Sequence, residues 1–340
     1  RLREACYQRG STWVRERREG LTFLHVSKSG GTSLDAFFAN FFPVGEMIPT
    51  ELQVRRMVEW DPQDWGRYRY FKMEWPYELT AKCAPPLHFV TLLRNPVHRI
   101  ISLYKHLRRE ADHTERYDSV RARRTPEVEA ARSLSLAEWA RLAPPESGAY
   151  FRHPYLGMAT IGVRNLVDKT DAELDALLVR AKQNLRERFA FVGIVENYLA
   201  SKRLFCQTFG LPAHFAVGEE RLNTAPDGGA AKAPLDPEVA AIIESQNRWD
   251  VELYQFAQRL LEERTKAFET GEAPVLSRDA DDLAANAQRP SRGCLEREIE
   301  QLSASGFYPV ERSPLAPSVR WTGALPVSTL DIVAAWPEAG

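Results

Sequence analysis

The sequence has little of several features that mark common protein classes. Its 340 residues hold only four cysteines, which are widely spaced, without a Cys-x-x-Cys pair or the spacing of metal ligands. No run approaches the roughly 18 apolar residues of a membrane span, and the charged N-terminus argues against a signal peptide. A formal net charge of only −1 argues against general nucleic-acid binding, which needs a basic excess. We therefore expect reduced thiols, with one or two disulfides as the alternative, no metal, and anion binding only at a local site.

The composition that remains is that of a globular protein. Hydrophobic residues make up 44% of the chain and charged residues 27%, and the length allows one large α/β domain with something smaller beside it. Residues 269–292 are rich in Ala, Asp, Gly, Pro and Ser, which is typical of a linker. We predict a domain over residues 1–268, the linker, and a β-rich segment or truncated accessory module over residues 293–340.

The stretch with the clearest chemistry lies near the start of this domain. Residues 22–26 are predicted to form a buried strand, and apolar residues at helical spacing follow residue 33. Between them lies the glycine loop, which we define as residues 27–33 (SKSGGTS). Gly30 and Gly31 allow backbone N–H groups to approach a ligand, and Lys28 adds a positive charge beside a helix N-terminus. This combination predicts a phosphate site.

The order of residues in the loop excludes one common phosphate-binding motif. A nucleoside-triphosphate P-loop has the pattern G-x-x-x-x-G-K-[ST], in which the lysine follows the last glycine. Here Lys28 precedes both glycines. A P-loop nucleotide kinase or related transferase is therefore a disfavoured alternative.

The segment HVSKSGGTSL resembles the 5′-phosphosulfate-binding loop of sulfotransferases that use 3′-phosphoadenosine-5′-phosphosulfate (PAPS). It is most similar to the branch written H-V-P-K-T-G-G-T-S-L, which includes the heparan sulfate 2-O- and 6-O-sulfotransferases. Two loop positions differ mildly, Ser27 for proline and Ser29 for threonine. The resemblance implies that Lys28 neutralises charge on the leaving group and that cofactor binding involves Lys28, Ser29, Gly30, Gly31, Thr32 and Ser33.

A second element carries the same resemblance. Residues 69–73 and 88–93 are predicted as further strands, and the second of these ends at Arg94, directly before a helix capped by Asn95. The segment LRNPVHRIISLY is similar to the 3′-phosphate-binding element of the family, which implies that Arg94 and Ser102 hold the 3′-phosphate of PAPS. We therefore expect an α/β fold: a P-loop-like parallel β-sheet flanked by helices, with a short C-terminal β-rich segment.

Two further segments are less specific. Residues 110–132 are dense in alternating charge, which predicts a helix end and a flexible loop. Residues 150–164 are rich in aromatic residues, which favours core packing over the alternative of an acceptor cleft. A capping box at Thr170–Glu173 predicts the start of a helix that runs to about residue 188.

The general base is the least determined part of the site. In the resembled branch it is usually a histidine just past the second strand, whereas this chain has Glu74 in the segment MEWPY. A partly buried carboxylate with a raised pKa can act as a base. We predict Glu74 as the catalytic base, with simple pairing to a cation as the alternative and with His106 and His153 in reserve.

Together the motifs and the resemblance imply a PAPS-dependent sulfotransferase that moves a sulfuryl group to an acceptor hydroxyl and releases 3′,5′-adenosine bisphosphate (PAP). The acceptor is expected to be a glycan or a small molecule. A non-catalytic protein that binds PAPS or a glycan is the other alternative. The composition leads us to expect a cytoplasmic enzyme, or one in the Golgi lumen if an N-terminal anchor has been removed. Oligomeric state is not encoded in any motif.

Overall fold

The computed structural model describes residues 20–39, 41–42, 44–48, 68–73, 87–112, 126–142, 153–160, 166–211, 213–216 and 235–272. Glu74, most of the predicted linker and the C-terminal segment lie outside the described residues, so the division into domains stays a prediction. Among the helices that are described, none is both long and apolar enough to cross a membrane.

The described part of the chain is built on one parallel sheet. Its strands are short and almost entirely apolar, and the residues of the first and last are buried throughout, as expected for strands covered on both faces. The strands are β1 (Gly20–Leu24), β2 (Tyr70–Met73), β3 (Leu87–Leu93) and β4 (Phe189–Ile194). Every pairing is parallel and the strand order is β2-β1-β3-β4. The predicted parallel α/β fold is confirmed.

Helices connect and cover these strands, because parallel neighbours cannot be joined by a tight turn. In chain order they are α1 (Gly31–Ala39), α2 (Pro96–Asp112), α3 (Pro126–Ser133), α4 (Leu136–Arg141), α5 (Pro154–Ala159), α6 (Asp171–Glu187), α7 (Tyr198–Thr208), α8 (Pro237–Gln246) and α9 (Arg248–Glu269).

Local capping sets where several helices begin. The Asn95 Oδ1 atom accepts hydrogen bonds from the backbone N–H groups of Val97 and His98, at 3.0 and 3.2 Å, so it caps α2 as predicted. The Thr170 hydroxyl and the Glu173 carboxylate form the predicted capping box of α6. These ends are encoded within four residues of sequence.

The buried side chains form two clusters. The main core surrounds the sheet and includes an aromatic group centred on Phe205 of α7, whose ring contacts the rings of Phe37, Phe38, Phe41, Phe191 and Phe209. A satellite core joins α2, α3, α4 and α8, with Ile100, Trp139 and Ile243 fully buried. The satellite core supports α2, the helix that follows Arg94.

One prediction about this region was wrong. The charged segment after α2 was expected to be a flexible loop up to residue 132, but Pro126–Ser133 forms α3. The helix is stabilised by tertiary packing, because Ala131 is fully buried in the satellite core while Arg132 and Ser133 face solvent.

The strand order places the predicted site. After β1 the chain moves to β2 on one side, and it then returns to β3 on the other side of β1. In open parallel sheets, ligands bind in the crevice outside the carboxyl ends of the strands at such a switch in direction. The glycine loop follows β1 and Arg94 follows β3, so both predicted elements lie at this crevice.

The aromatic group predicts where the fold is most sensitive. Phe205→Ala should lower the free energy of unfolding by about 3–5 kcal/mol, because a buried ring is removed and a cavity remains. Val179→Ala is the control, since Val179 is 69% exposed on α6. Urea denaturation followed by circular dichroism measures both variants. Equal losses would mean that Phe205 is not part of the folding core.

Candidate active site

The glycine loop adopts a strained, tightly bent backbone. Lys28 and Gly30 both lie in the left-handed region, with φ values of 69° and 73°. A side chain is unfavourable at such a φ, by roughly 1–2 kcal/mol, so Lys28 is unusual while Gly30 is the expected residue. Backbone N–H groups in turns of this type form anion-binding concavities. The conformation is therefore suited to the predicted phosphate.

Gly31 is required for a different reason, which is the close approach of a ring. A Cβ atom at this position would lie under 3.0 Å from ring atoms of His25, which is closer than real Cβ contacts. His25 follows β1, is buried and packs beside Phe23, with ring centroids 5.2 Å apart. The first turn of α1 can therefore lie against His25 only if residue 31 has no side chain.

The pKa of His25 shows which charged groups lie near the start of the loop. Burial, followed by the nearby charges of Lys72 and Lys28, holds the pKa of His25 well below its usual value. The imidazole is therefore neutral at pH 7. Both lysines thus place positive charge near His25, although the Asp35 carboxylate offsets part of the charge of Lys72.

Lys72 is itself held in place by an acidic residue on α1. Its Nζ atom lies 3.5 Å from the Asp35 carboxylate, which also accepts a hydrogen bond from the Tyr70 hydroxyl at 2.5 Å. The end of β2 is thus tied to the helix that begins in the glycine loop. No local sequence pattern predicts this contact, because it depends on β1 and β2 being neighbours in the sheet.

The two predicted anion-binding elements are in direct contact. The Arg94 Nη1 atom donates a hydrogen bond to the Lys28 carbonyl oxygen over 3.2 Å. These residues are 66 positions apart in sequence and meet because β1 and β3 are neighbours. The half-buried guanidinium of Arg94 therefore lies beside the glycine loop.

Tyr155, which lies in the segment predicted to pack in the core or, alternatively, to line an acceptor cleft, completes this contact. The Tyr155 hydroxyl on α5 is 2.9 Å from the Ser29 Oγ atom and also bonds to the backbone N–H and carbonyl groups of Arg94, at 3.0 and 2.8 Å. The Ser29 side chain is fully buried, so its hydroxyl faces Tyr155 in the interior. In the sequence, the only signal for a role of Tyr155 is its position in a segment rich in aromatic residues.

The other predicted binding residues lie on the two helices that leave the site. Thr32 and Ser33 are half-buried in the first turn of α1, and Ser102 is half-buried in the second turn of α2. The predicted base Glu74 lies outside the described residues, directly after the end of β2 at Met73. These assignments stay predictions.

The two reserve histidines have different environments. His106 is half-buried on α2, one turn beyond Ser102. His153 is buried, has a left-handed φ of 55° before α5, and packs edge-on against Trp249 with ring centroids 4.8 Å apart. His153 is thus mainly a packing residue.

Comparison with known proteins agrees with this geometry. The chain is 24% identical over 281 residues to heparan-sulfate 6-O-sulfotransferase 2 of Danio rerio, a match that covers 72% of this chain. It is 26% identical over 285 residues to heparan-sulfate 6-O-sulfotransferase 1 of Cricetulus griseus, again over 72% of this chain. The chain is similar to heparan-sulfate 6-O-sulfotransferases. The sulfotransferase resemblance inferred from the motifs is confirmed.

The similarity has clear bounds. The match covers 58% of the length of the Danio rerio protein and 64% of a second one, heparan-sulfate 6-O-sulfotransferase 3-B, to which the chain is 24% identical. No protein-family model matches the chain. The match therefore shows similarity to these sulfotransferases over part of their length, and it does not by itself show what this chain acts on.

The crowding at Gly31 generates a prediction. Gly31→Ala should destabilise the protein by about 1–3 kcal/mol, because the new methyl group overlaps the His25 ring. Gly45→Ala is the matched control, since a Cβ there meets nothing within 4 Å. Thermal and urea unfolding measure the difference.

A double variant separates this clash from a general effect of alanine at the site. His25→Ala combined with Gly31→Ala should cost less than the sum of the two single changes, because the small residue at position 25 makes room for the methyl group. Additive losses would show that His25 and Gly31 do not compete for this space.

Proposed function

We propose that this protein is a PAPS-dependent sulfotransferase that transfers a sulfuryl group to a hydroxyl of a carbohydrate. One observation carries the proposal: the Arg94 guanidinium bonds to the carbonyl of Lys28, inside a glycine loop that follows the neighbouring strand. A site with an anion-binding group at each of two ends matches a nucleotide that has phosphates at its 3′ and 5′ positions.

The residues present suit this nucleotide. Gly30 is exposed and left-handed, Gly31 has no room for a side chain, and Lys28 adds a positive charge within the loop itself. In our assignment the loop with Thr32 and Ser33 holds the 5′-phosphate.

The far end of the nucleotide is assigned to the second element. A guanidinium offers a planar set of donors that matches a phosphate, so Arg94 holds the 3′-phosphate, with Ser102 as a neutral donor. The cofactor, when bound, supplies the activated sulfuryl group. The chain itself supplies positioning and charge stabilisation, which are expected to carry most of the catalysis in a transfer of this kind.

Two residues are assigned to the chemical step. The Lys28 ammonium neutralises negative charge that grows on the departing bisphosphate. Glu74 accepts the proton of the acceptor hydroxyl as its oxygen attacks the sulfur. Both assignments come from the family resemblance. Lys28 lies at the carboxyl end of β1, and Glu74 is the residue that follows the end of β2 in the sequence.

The class of acceptor follows from the relatives, which are named for the sulfation of heparan sulfate. We infer a carbohydrate hydroxyl and leave the position on the sugar to experiment. The cytoplasmic location expected from composition finds no support among these relatives, which come from animals. The alternative, a Golgi lumenal enzyme, agrees better with them.

Transfer of labelled sulfate from PAPS tests the function. We expect label in at least one member of a panel of heparan sulfate, its unsulfated precursor, chondroitin and small alcohols. Lys28→Ala should reduce the rate at least about 100-fold, because a charge-stabilising group is lost. Lys105→Ala should leave the rate unchanged, since Lys105 is an exposed lysine on α2 that is not assigned to the site.

The outcome separates the proposal from its rivals. Tight binding of PAP without transfer to any acceptor would mean that the protein only binds the nucleotide. Binding of ATP with magnesium in place of PAP would revive the kinase alternative. An equal rate for Lys28→Ala and the wild type would remove Lys28 from the mechanism.

The base assignment has its own test. Glu74→Gln should lower turnover by about 100-fold or more, while the Kd for PAP stays within about twofold, because only the proton acceptor is changed. Isothermal titration calorimetry gives the Kd and the labelled-sulfate assay gives turnover. Unchanged turnover would move the base to another group, and His106→Asn and His153→Asn would then be compared in the same assay.

A further inference from the structure

The Tyr155 hydroxyl uses its full hydrogen-bonding capacity between the two anion-binding elements. A phenol can donate one hydrogen bond and accept two. The hydroxyl donates to the Arg94 carbonyl oxygen at 2.8 Å and accepts from the Arg94 backbone N–H at 3.0 Å. Because its own proton is used in that way, the Tyr155 oxygen accepts the hydrogen bond from the Ser29 hydroxyl, whose Oγ atom is 2.9 Å away. One atom thus bonds both to the glycine loop and to the strand end that carries Arg94.

The backbone and the ring of Tyr155 have buried contacts of their own. Both carboxylate oxygens of Asp250, on α9, accept backbone N–H bonds from the start of α5, at 3.0 Å from Tyr155 and 2.9 Å from Leu156. The Arg99 guanidinium lies 5.8 Å from the centre of the Tyr155 ring. All three side chains of this group, Tyr155, Asp250 and Arg99, are fully buried.

The hydroxyl keeps its proton over the whole physiological range. Burial raises the pKa of Tyr155 to about 12. The phenol is therefore a permanent donor to the Arg94 carbonyl, and this link is insensitive to pH. A phenylalanine would fill the same space in the core equally well, so core packing alone does not account for the oxygen atom.

We propose that Tyr155 is a positioning residue that fixes the distance between the two ends of the nucleotide site. Its hydroxyl ties Ser29, in the middle of the glycine loop, to the backbone of Arg94, while α5 and Asp250 hold it in place. This inference rests on the proposed function, because it assumes that one nucleotide spans both ends. A ligand with both phosphates gains from correct spacing, whereas a ligand with one phosphate does not.

The test compares PAP with adenosine 5′-monophosphate (AMP), which lacks the 3′-phosphate. Isothermal titration calorimetry on the full chain gives Kd values for both nucleotides in the wild type and in Tyr155→Phe. We expect the Kd for PAP to rise about tenfold in the variant, as for the loss of a buried hydrogen bond, and the Kd for AMP to rise less than about twofold. The preference for PAP over AMP should therefore fall at least about fivefold.

Tyr104→Phe is the matched control. Tyr104 is also a buried tyrosine, and its hydroxyl bonds to the Leu134 carbonyl at 2.8 Å and to Arg108 at 2.7 Å, but within the satellite core. Loss of the Tyr104 hydroxyl should lower the free energy of unfolding without changing the preference for PAP over AMP. This control separates the loss of any buried hydroxyl from the loss of this one.

Ser29→Ala is a second variant that decides the matter if Tyr155→Phe fails to fold. It breaks the same link from the loop side, so the preference for PAP over AMP should again fall. Where Tyr155→Phe does fold, the double variant should be no worse than Tyr155→Phe alone. Equal weakening of PAP and AMP, or no change in either, would overturn the positioning role and leave the proposed function intact. Failure of the wild type to bind PAP would overturn both.

Discussion

Arg94 and the glycine loop belong to one site because β1 and β3 pair in parallel, so the chain leaves both strands at the same edge of the sheet. With β2 on the far side of β1, the loops after β1 and β3 also diverge, which opens the crevice between them. The bond from Arg94 to the Lys28 carbonyl is a consequence of this pairing. Every chemical assignment in the site depends on that geometry.

The glycine loop has an unfavourable backbone conformation at Lys28 and a crowded position at Gly31, and contacts with other parts of the protein must stabilise it. Lys28 is left-handed without being a glycine or an asparagine, and Gly31 leaves no space beside His25. Strained backbone of this kind persists only where surrounding contacts over-determine it, and it is concentrated at functional sites. Here the contacts come from the Arg94 side chain and from the buried bond between Ser29 and Tyr155.

Prediction from sequence succeeded where the determining atoms are close together in the chain. The Asn95 cap, the box at Thr170 and the apolar strands depend on neighbours within a few residues, and the glycine loop is a contiguous motif. Prediction failed at α3, because the segment is rich in charged residues and has no apolar residues at helical spacing. The helix is stabilised instead by burial of Ala131 in the satellite core. Propensity is a weak guide wherever packing decides.

The order of residues by itself determined that this chain forms a parallel α/β sheet, that a glycine loop follows its first strand, and that an arginine follows another strand. Only the tertiary structure decided that the loop and the arginine are in contact and that the Tyr155 hydroxyl bonds to both elements. It also decided that the charge of Lys72 lies near the buried, neutral His25. The physical reason is distance along the chain. Ser29 and Tyr155 are 126 residues apart, and no local pattern distinguishes a tyrosine whose oxygen joins two loops from one that only fills a core.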